Sequence, residues 1–170
     1  NTLLLDSGGF FAGGLRDEYT QNSELDRERT IVNLKAMELM KYDAVAIGDD
    51  EFNFGKEFFQ ENINKTNLVF TSCNLSTTGR GARLPDGQGS ANNFGGKSDS
   101  ISPYVIEEIA GTKIGIVGVT SLSAMEKAEG IKFIEPKIAV KQAIEELKKN
   151  GADIIAVSYT HLRAHETGRN

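Results

Sequence analysis

Short apolar runs alternate with amphipathic stretches along this chain. "LLLD" (Leu3–Asp6) is continuous and apolar and closes on Gly8 and Gly9, the pattern of a buried strand running into a loop. Residues 12–24, "AGGLRDEYTQNSE", are polar and glycine-containing and read as a loop. From Leu25 to Met40, Ile31, Leu34 and Met37, widened by Val32, Ala36, Leu39 and Met40, form a broad apolar stripe and predict a helix. Ser23 with Asp26 three residues on is a fitting N-cap pattern for it. "DAVAIG" predicts a second buried strand, the charged and aromatic stretch from Glu51 to Asn62 a second helix, and "NLVFTSCNL" a third strand.

The pattern then breaks. Glycine and small polar residues dominate residues 76–100, and no apolar periodicity survives, so the segment reads as a long surface loop or insertion. "YVIEEIAGTKIGIVGV" follows as two strand-like runs around "AGTK", a hairpin. Its "GTKIGIVG" lacks the Gly-Lys-Ser/Thr ending of a phosphate cradle. Val140, Ile144 and Leu147 fall at i, i+4 and i+7, predicting a helix that stops at Asn150 and Gly151. "ADIIAVS" is the last strand. Apolar strands alternating with amphipathic helices indicate an α/β layered fold, in which chemistry sits beyond the carboxyl ends of the strands. "DSGGFF", "GDDEFNFG" and "SCNL" all stand at such ends.

Composition narrows the picture. The 170 residues suffice for one domain, and 39% hydrophobic with 25% charged residues is ordinary for a globular chain. A formal net charge of −5 argues against nucleic acid as the main partner. No apolar run approaches the ~20 residues of a membrane-spanning helix. Cys73 is the one cysteine, so no internal disulfide can form; following an apolar strand, with no His or Asn partner in view, it reads as a packing residue rather than a nucleophile. A chain that opens in mid-strand at Asn1 without a starting Met reads as a fragment.

Local pattern alone favours an acidic, solvated turn at Asp49, Asp50 and Glu51 over a cation site, although one or two of these carboxylates could hold Mg²⁺ weakly. The order of segments adds to this. "LLLDSGGFF", "LKAMELMKYDAVAIGDDEFNFG", "FTSCNL", "SPYVIEEIAGTKIGIVGVTS" and "AVKQAIEELKKNGADIIAVS" resemble, in sequence order, the N-terminal catalytic domain of the 5′-nucleotidase group of calcineurin-like metallophosphoesterases. The resemblance spans residues 3–158 and implies a four-layer α/β/β/α sandwich, incomplete here at both ends. It further implies hydrolysis of nucleotide phosphate esters at two divalent metal ions (Mn, Zn or Mg) that clamp the phosphoryl group and activate water. An exported location, periplasmic, cell-surface or extracellular, belongs to the same implication.

The sequence departs from that family at the positions that carry the chemistry. The bridging aspartate of the family's Gly-Asp falls on Gly9, which has no side chain to ligate. The metal-binding asparagine of Asn-His-Glu falls on Asp49, which still offers oxygen, and the catalytic histidine falls on Asp50, whose carboxylate would repel developing phosphate charge. Glu51 matches the glutamate that supports the loop, and Asp6 matches a loop aspartate outside the metal shell. Asn74 matches the family's Asn-Leu and fits either an approach to the site or a strand-end turn. The histidine expected after Ser158 is Tyr159. His161 and His165, four apart with Glu166 beside them, invite a metal reading. Yet "YTHLRAHETGRN" (159–170) resembles translated sequencing-adapter sequence and is set aside as a non-native tail. Two functions are carried forward: an impaired 5′-nucleotidase-like phosphoesterase fragment, and a catalytically silent binding or structural module on the same fold. Substrate-binding residues and oligomeric state are not assigned.

Overall fold

The computed structural model of the chain describes residues 2–12, 23–76 and 101–160. Strand β1 (Leu5–Asp6) leads to helix α1 (Ser23–Leu39), strand β2 (Ala44–Ala46), a 3-10 turn at Asp50–Phe52 and helix α2 (Gly55–Ile63). Short strands β3 (Phe70–Thr71), β4 (Leu75–Ser76) and β5 (Ile101–Ser102) follow. The hairpin β6 (Val105–Ile109) and β7 (Thr112–Val119), a second 3-10 turn at Leu122–Glu126, β8 (Lys132–Phe133), α3 (Pro136–Lys149) and β9 (Ile154–Tyr159) complete the order.

Two sheets pack face to face. The first is all parallel, in the order β1-β2-β3-β5, with Leu5 opposite Ala44, Val45 opposite Phe70 and Phe70 opposite Ile101. The second runs β6-β7-β9: β6 is antiparallel to β7, and β7 is parallel to β9 from Ile114 opposite Ile154 to Val119 opposite Tyr159. Alternation along the strands divides their faces. Val45, Ile47 and Phe70 pack with Leu34 and Met37 of α1 and Phe59 and Ile63 of α2. Val117 and Val119 pack with Ala139, Ala143 and Leu147 of α3. Ala44, Ala46, Ile116 and Gly118 are left for the layer between the sheets. The result is a four-layer α/β/β/α sandwich, the architecture the resemblance implies.

Small residues let the two sheets touch. A Cβ on Gly118 would lie 2.0 Å from the carbonyl oxygen of Thr71, so only glycine fits there. Around this contact the Cys73 N–H donates to the Gly118 carbonyl at 2.8 Å and the Gly118 N–H to Thr71 Oγ1 at 3.3 Å. Next to it lies a buried polar seam. Asn74 Nδ2 donates to the Thr120 carbonyl, and the Thr120 N–H donates back to Asn74 Oδ1, both at 2.8 Å. Thr120 Oγ1 donates to the Ile47 carbonyl at 2.7 Å and stands 2.8 Å from Ser72 Oγ. Each of these polar side chains in the seam thus has a partner, which buried groups require.

Several sequence expectations change. Ser23 is the first helical residue of α1 rather than its cap; the Asp26 carboxylate pairs with Arg29 at 3.1 Å. The apolar stripe of α1 is narrower than its composition: Val32, Leu39 and Met40 are exposed, and the buried face is Asp26, Thr30, Leu34 and Met37. The helix expected from Glu51 is divided at Gly55, whose φ of +84° starts α2 afresh. "NLVFTSCNL" is two strands, because Ser72 and Asn74 leave the ladder to pair across the sheets and β4 joins β8. β9 continues through Tyr159, past the composition break after Ser158. Residues 77–100, most of the expected loop, lie outside the described residues, as do His161, His165 and Glu166. No described helix is long and apolar enough to cross a membrane.

Gly118→Ala should cost about 2–3 kcal/mol, because its methyl group meets fixed backbone. At Gly115 an added Cβ meets only Leu147 side-chain atoms at 2.7–3.1 Å, so Gly115→Ala should cost clearly less. Urea unfolding of both variants makes the check, and equal losses would contradict the sheet contact.

Candidate functional site

The loops that follow β1 and β2 leave neighbouring parallel strands at the same end and meet there. Their approach is backbone to backbone. A Cβ on Gly8 would sit 2.5 Å from the Gly48 nitrogen, and one on Gly48 would sit 2.7 Å from the Gly9 nitrogen. Gly8 and Gly9 also hold φ values of +81° and +78°, a region costly for other residues. Beneath this junction lies Glu51, fully buried. Its carboxylate accepts the N–H of Gly48 at 2.6 Å, of Gly9 at 2.8 and 2.9 Å, and of Phe10 at 3.0 Å. Burial pushes the Glu51 carboxyl up to about 7, while these backbone donors pull it back. Asp6 closes its own turn by accepting the Gly8 N–H at 2.8 Å; burial raises its carboxyl above the usual range against that hydrogen bond. Phe11 continues the anchoring, its ring 6.0 Å from Phe59 and 6.1 Å from Phe58.

Asp49 and Asp50 stand at the start of the first 3-10 turn, and a lysine reaches them from the end of the second 3-10 turn, after β7. Lys127 Nζ is 3.0 Å from Asp50 Oδ1, 2.7 Å from Asn53 Oδ1 and 3.8 Å from Asp49 Oδ2. Asn53 Nδ2 donates to Asp50 Oδ1 and to the Ala12 carbonyl, both at 3.2 Å. Ser123 Oγ donates to Asp49 Oδ2 at 3.3 Å. Gly9 faces the same cluster: a Cβ there would be 3.9 Å from Asp50 Oδ2 and 2.8 Å from Thr160 Cγ2. Thr160 is itself tied in, donating through Oγ1 to the Ser7 carbonyl at 2.7 Å.

Sequence reading singled out Asp6, Gly9, Asp49, Asp50 and Glu51, and the fold gathers all of them at this junction. Asn53, Ser123 and Lys127 escaped it. Lys127 lies 77 positions from Asp50, and no local pattern signals a contact made by sheet packing. Asn74 is spent on Thr120 and Ser72 in the seam. Cys73 is buried, and burial pushes its thiol up to about 12, so it is no nucleophile at neutral pH. An open groove of about 700 Å³ between α3 and β9, lined by Val119, Val140, Ile144, Val157 and Tyr159 among others, includes none of these loop residues.

Known proteins are similar to this chain in sequence and fold. Over 174 residues the chain is 28% identical to the 5′-nucleotidase of Vibrio cholerae, covering 99% of this chain and 27% of that protein. It is 25% identical to Protein UshA of Yersinia enterocolitica over 174 residues, covering 99% of this chain and 28% of that one. The chain is similar to these 5′-nucleotidases along nearly its whole length. Among solved structures, the 5′-nucleotidase precursor of Thermus thermophilus superposes with a TM-score of 0.70 at 23% identity, over 94% of this chain and 28% of that one. The chain spans about a quarter of the length of the relatives it matches. No protein-family model matches it.

The metallophosphoesterase fold implies divalent metal ions, and the donor set of this chain does not fit two of them. Glu51 has both oxygens on backbone N–H groups, position 9 offers no side chain, and Asp49, Asp50 and Asn53 turn oxygens to Lys127. Among the described residues no three His, Cys, Asp or Glu side chains group as metal ligands.

Glu51→Ala should cost about 3 kcal/mol or more, since three backbone donors lose their acceptor at about 1 kcal/mol or more each. Glu51→Gln keeps one acceptor oxygen and should cost less; chemical unfolding compares the two. The raised pKa also sets a pH dependence. Between the ordinary value of 4.5 and about 7 the folded state binds a proton that the unfolded chain has released. Glu51 thus adds stability as pH falls through that window, and loses it as pH rises through about 7. The melting-temperature gap between the unmodified chain and Glu51→Gln should widen in favour of the former from pH 7 to pH 5. A gap that narrows would contradict the assignment.

Proposed function

We propose that this chain is part of the catalytic domain of a 5′-nucleotidase-type metallophosphoesterase, with nucleotide phosphate esters as its substrate class and with impaired hydrolysis. The ordered match to named 5′-nucleotidases over nearly the whole chain supports the class. One observation carries the impairment. Gly9, at the family's bridging-aspartate position, and Asp50, at its catalytic-histidine position, face each other in one cluster, so a ligand and an acid–base group are lost from the same spot. An exported location follows from the same kinship, and residues 159–170 remain assigned to a non-native tail. The alternative, a silent binding or structural module, draws support from Lys127, which satisfies Asp50 without any bound ion.

The test has two arms. With Mn²⁺ or Zn²⁺ added, the chain should release no phosphate from AMP or p-nitrophenyl phosphate above background; clear turnover would overturn the impairment. In the full-length Vibrio cholerae enzyme, glycine and aspartate placed at the two equivalent positions should lower kcat/KM by about 10²-fold or more, the scale of losing one acid–base group. A loss under tenfold would leave Gly9 and Asp50 tolerable and the proposal without its main support.

A further inference from the structure

We infer that Lys127 is the resident cation of this site: its ammonium occupies the place among Asp49, Asp50 and Asn53 that a divalent ion would need, and it keeps such ions out. This placement is geometric and holds whether or not the chain hydrolyses anything. Two acidic side chains and one amide oxygen converge on a single ammonium, the nearest at 2.7 and 3.0 Å. Three donors and a compact charge suit Lys to that role.

The lysine is held from below. It follows the 3-10 turn Leu122–Glu126, whose cap Ser121 accepts the Ser123 N–H through its side chain. Its own N–H donates to the Ala124 carbonyl at 3.1 Å, and that of Ala128 to the same carbonyl at 2.9 Å. Ala124 and Ala128 are fully buried in the core shared with α1 and α2. Two buried alanines, one within the turn and one just after it, therefore fix the root of the side chain, and Asn53 fixes its tip. Asp49 is largely buried, with a side-chain exposure of 13%, so its charge needs a counter-ion close by. A divalent ion entering among these oxygens would meet the ammonium at a few ångströms, where like charges repel strongly.

The experiment uses the full 170-residue chain and Mn²⁺ alone, with bound ion read by electron paramagnetic resonance and stability by thermal melting. The unmodified chain should bind no Mn²⁺ below roughly 1 mM and melt at the same temperature with Mn²⁺ or with chelator, as weak carboxylate sites do. Lys127→Met should melt about 2–4 °C lower without metal, the shift expected for a lost ion pair in a domain of this size. It should also bind Mn²⁺ at least about tenfold more tightly, because the competing charge is gone. Lys127→Gln, which keeps the stem and a donor, takes its place if the methionine variant does not fold. Lys127→Arg should behave as the unmodified chain. Micromolar Mn²⁺ binding by the unmodified chain, or no gain in either neutral variant, overturns the inference. Phosphate release measured on the same samples reads the hydrolysis proposal separately. Turnover without bound Mn²⁺ would refute impairment and leave Lys127 in its role.

Discussion

One carboxylate organises this end of the molecule. Glu51 accepts backbone N–H groups from both loops, Gly48 on its own and Gly9 and Phe10 on the other. Those donors would otherwise be buried without partners, and the two loops could not lie at glycine-to-glycine distance. The interaction dictates much of the local sequence. It requires glycine at positions 8 and 48, where a Cβ would meet backbone, and it aims Asp49 and Asp50, which lie between Gly48 and Glu51, toward the turn that follows β7. The cost is a carboxyl group buried entirely, which is why its proton affinity rises despite the hydrogen bonds.

The second sheet answers through the seam at Thr120. Because Gly118 brings β7 against Thr71, the strand exits beside the end of β2, and Thr120 hydrogen-bonds Ile47 directly. The turn that follows carries Ser123 to Asp49 and Lys127 to Asp50. Sheet packing is thus what completes the polar cluster. A site built in this way depends on a missing methyl group at position 118 as much as on any charged residue.

This explains what could be read from the sequence and what could not. The parallel strands, the hairpin, both long helices and the two junction loops follow from apolar runs and glycines, which act locally. Asp6, Gly9, Asp49, Asp50 and Glu51 were legible because they stand at or after strand ends, in segments that resemble family motifs. The partners of the acidic residues were not. Lys127 and Ser123 lie in an ordinary polar stretch, and their role comes from a contact across more than 70 residues. The breaks at Gly55 and after Thr71 were hidden for a related reason: apolar composition continues through them, while a positive φ and cross-sheet hydrogen bonds decide the geometry. The width of the α1 stripe misled in the opposite sense, since Thr30 is buried while Val32 is not. Thr30 is held there by a specific bond, its hydroxyl accepting the Ala12 N–H at 3.3 Å.

Gly9 and Asp50 are best understood as one feature. A Cβ at position 9 would lie 3.9 Å from the Asp50 carboxylate, so an acid at both positions would set two negative charges together beside the Lys127 ammonium. Two such charges separate their pKa values or recruit a cation. With glycine at 9, the single ammonium is enough for Asp50. The fold loses little by this, because its scaffold contacts, Glu51 to the loops and Asn74 to Thr120, involve neither position's side chain. Fold and chemistry rest on different groups here: the Glu51 carboxylate and the backbone N–H groups it accepts hold the loops together, and the Asp50 side chain takes no part in that contact.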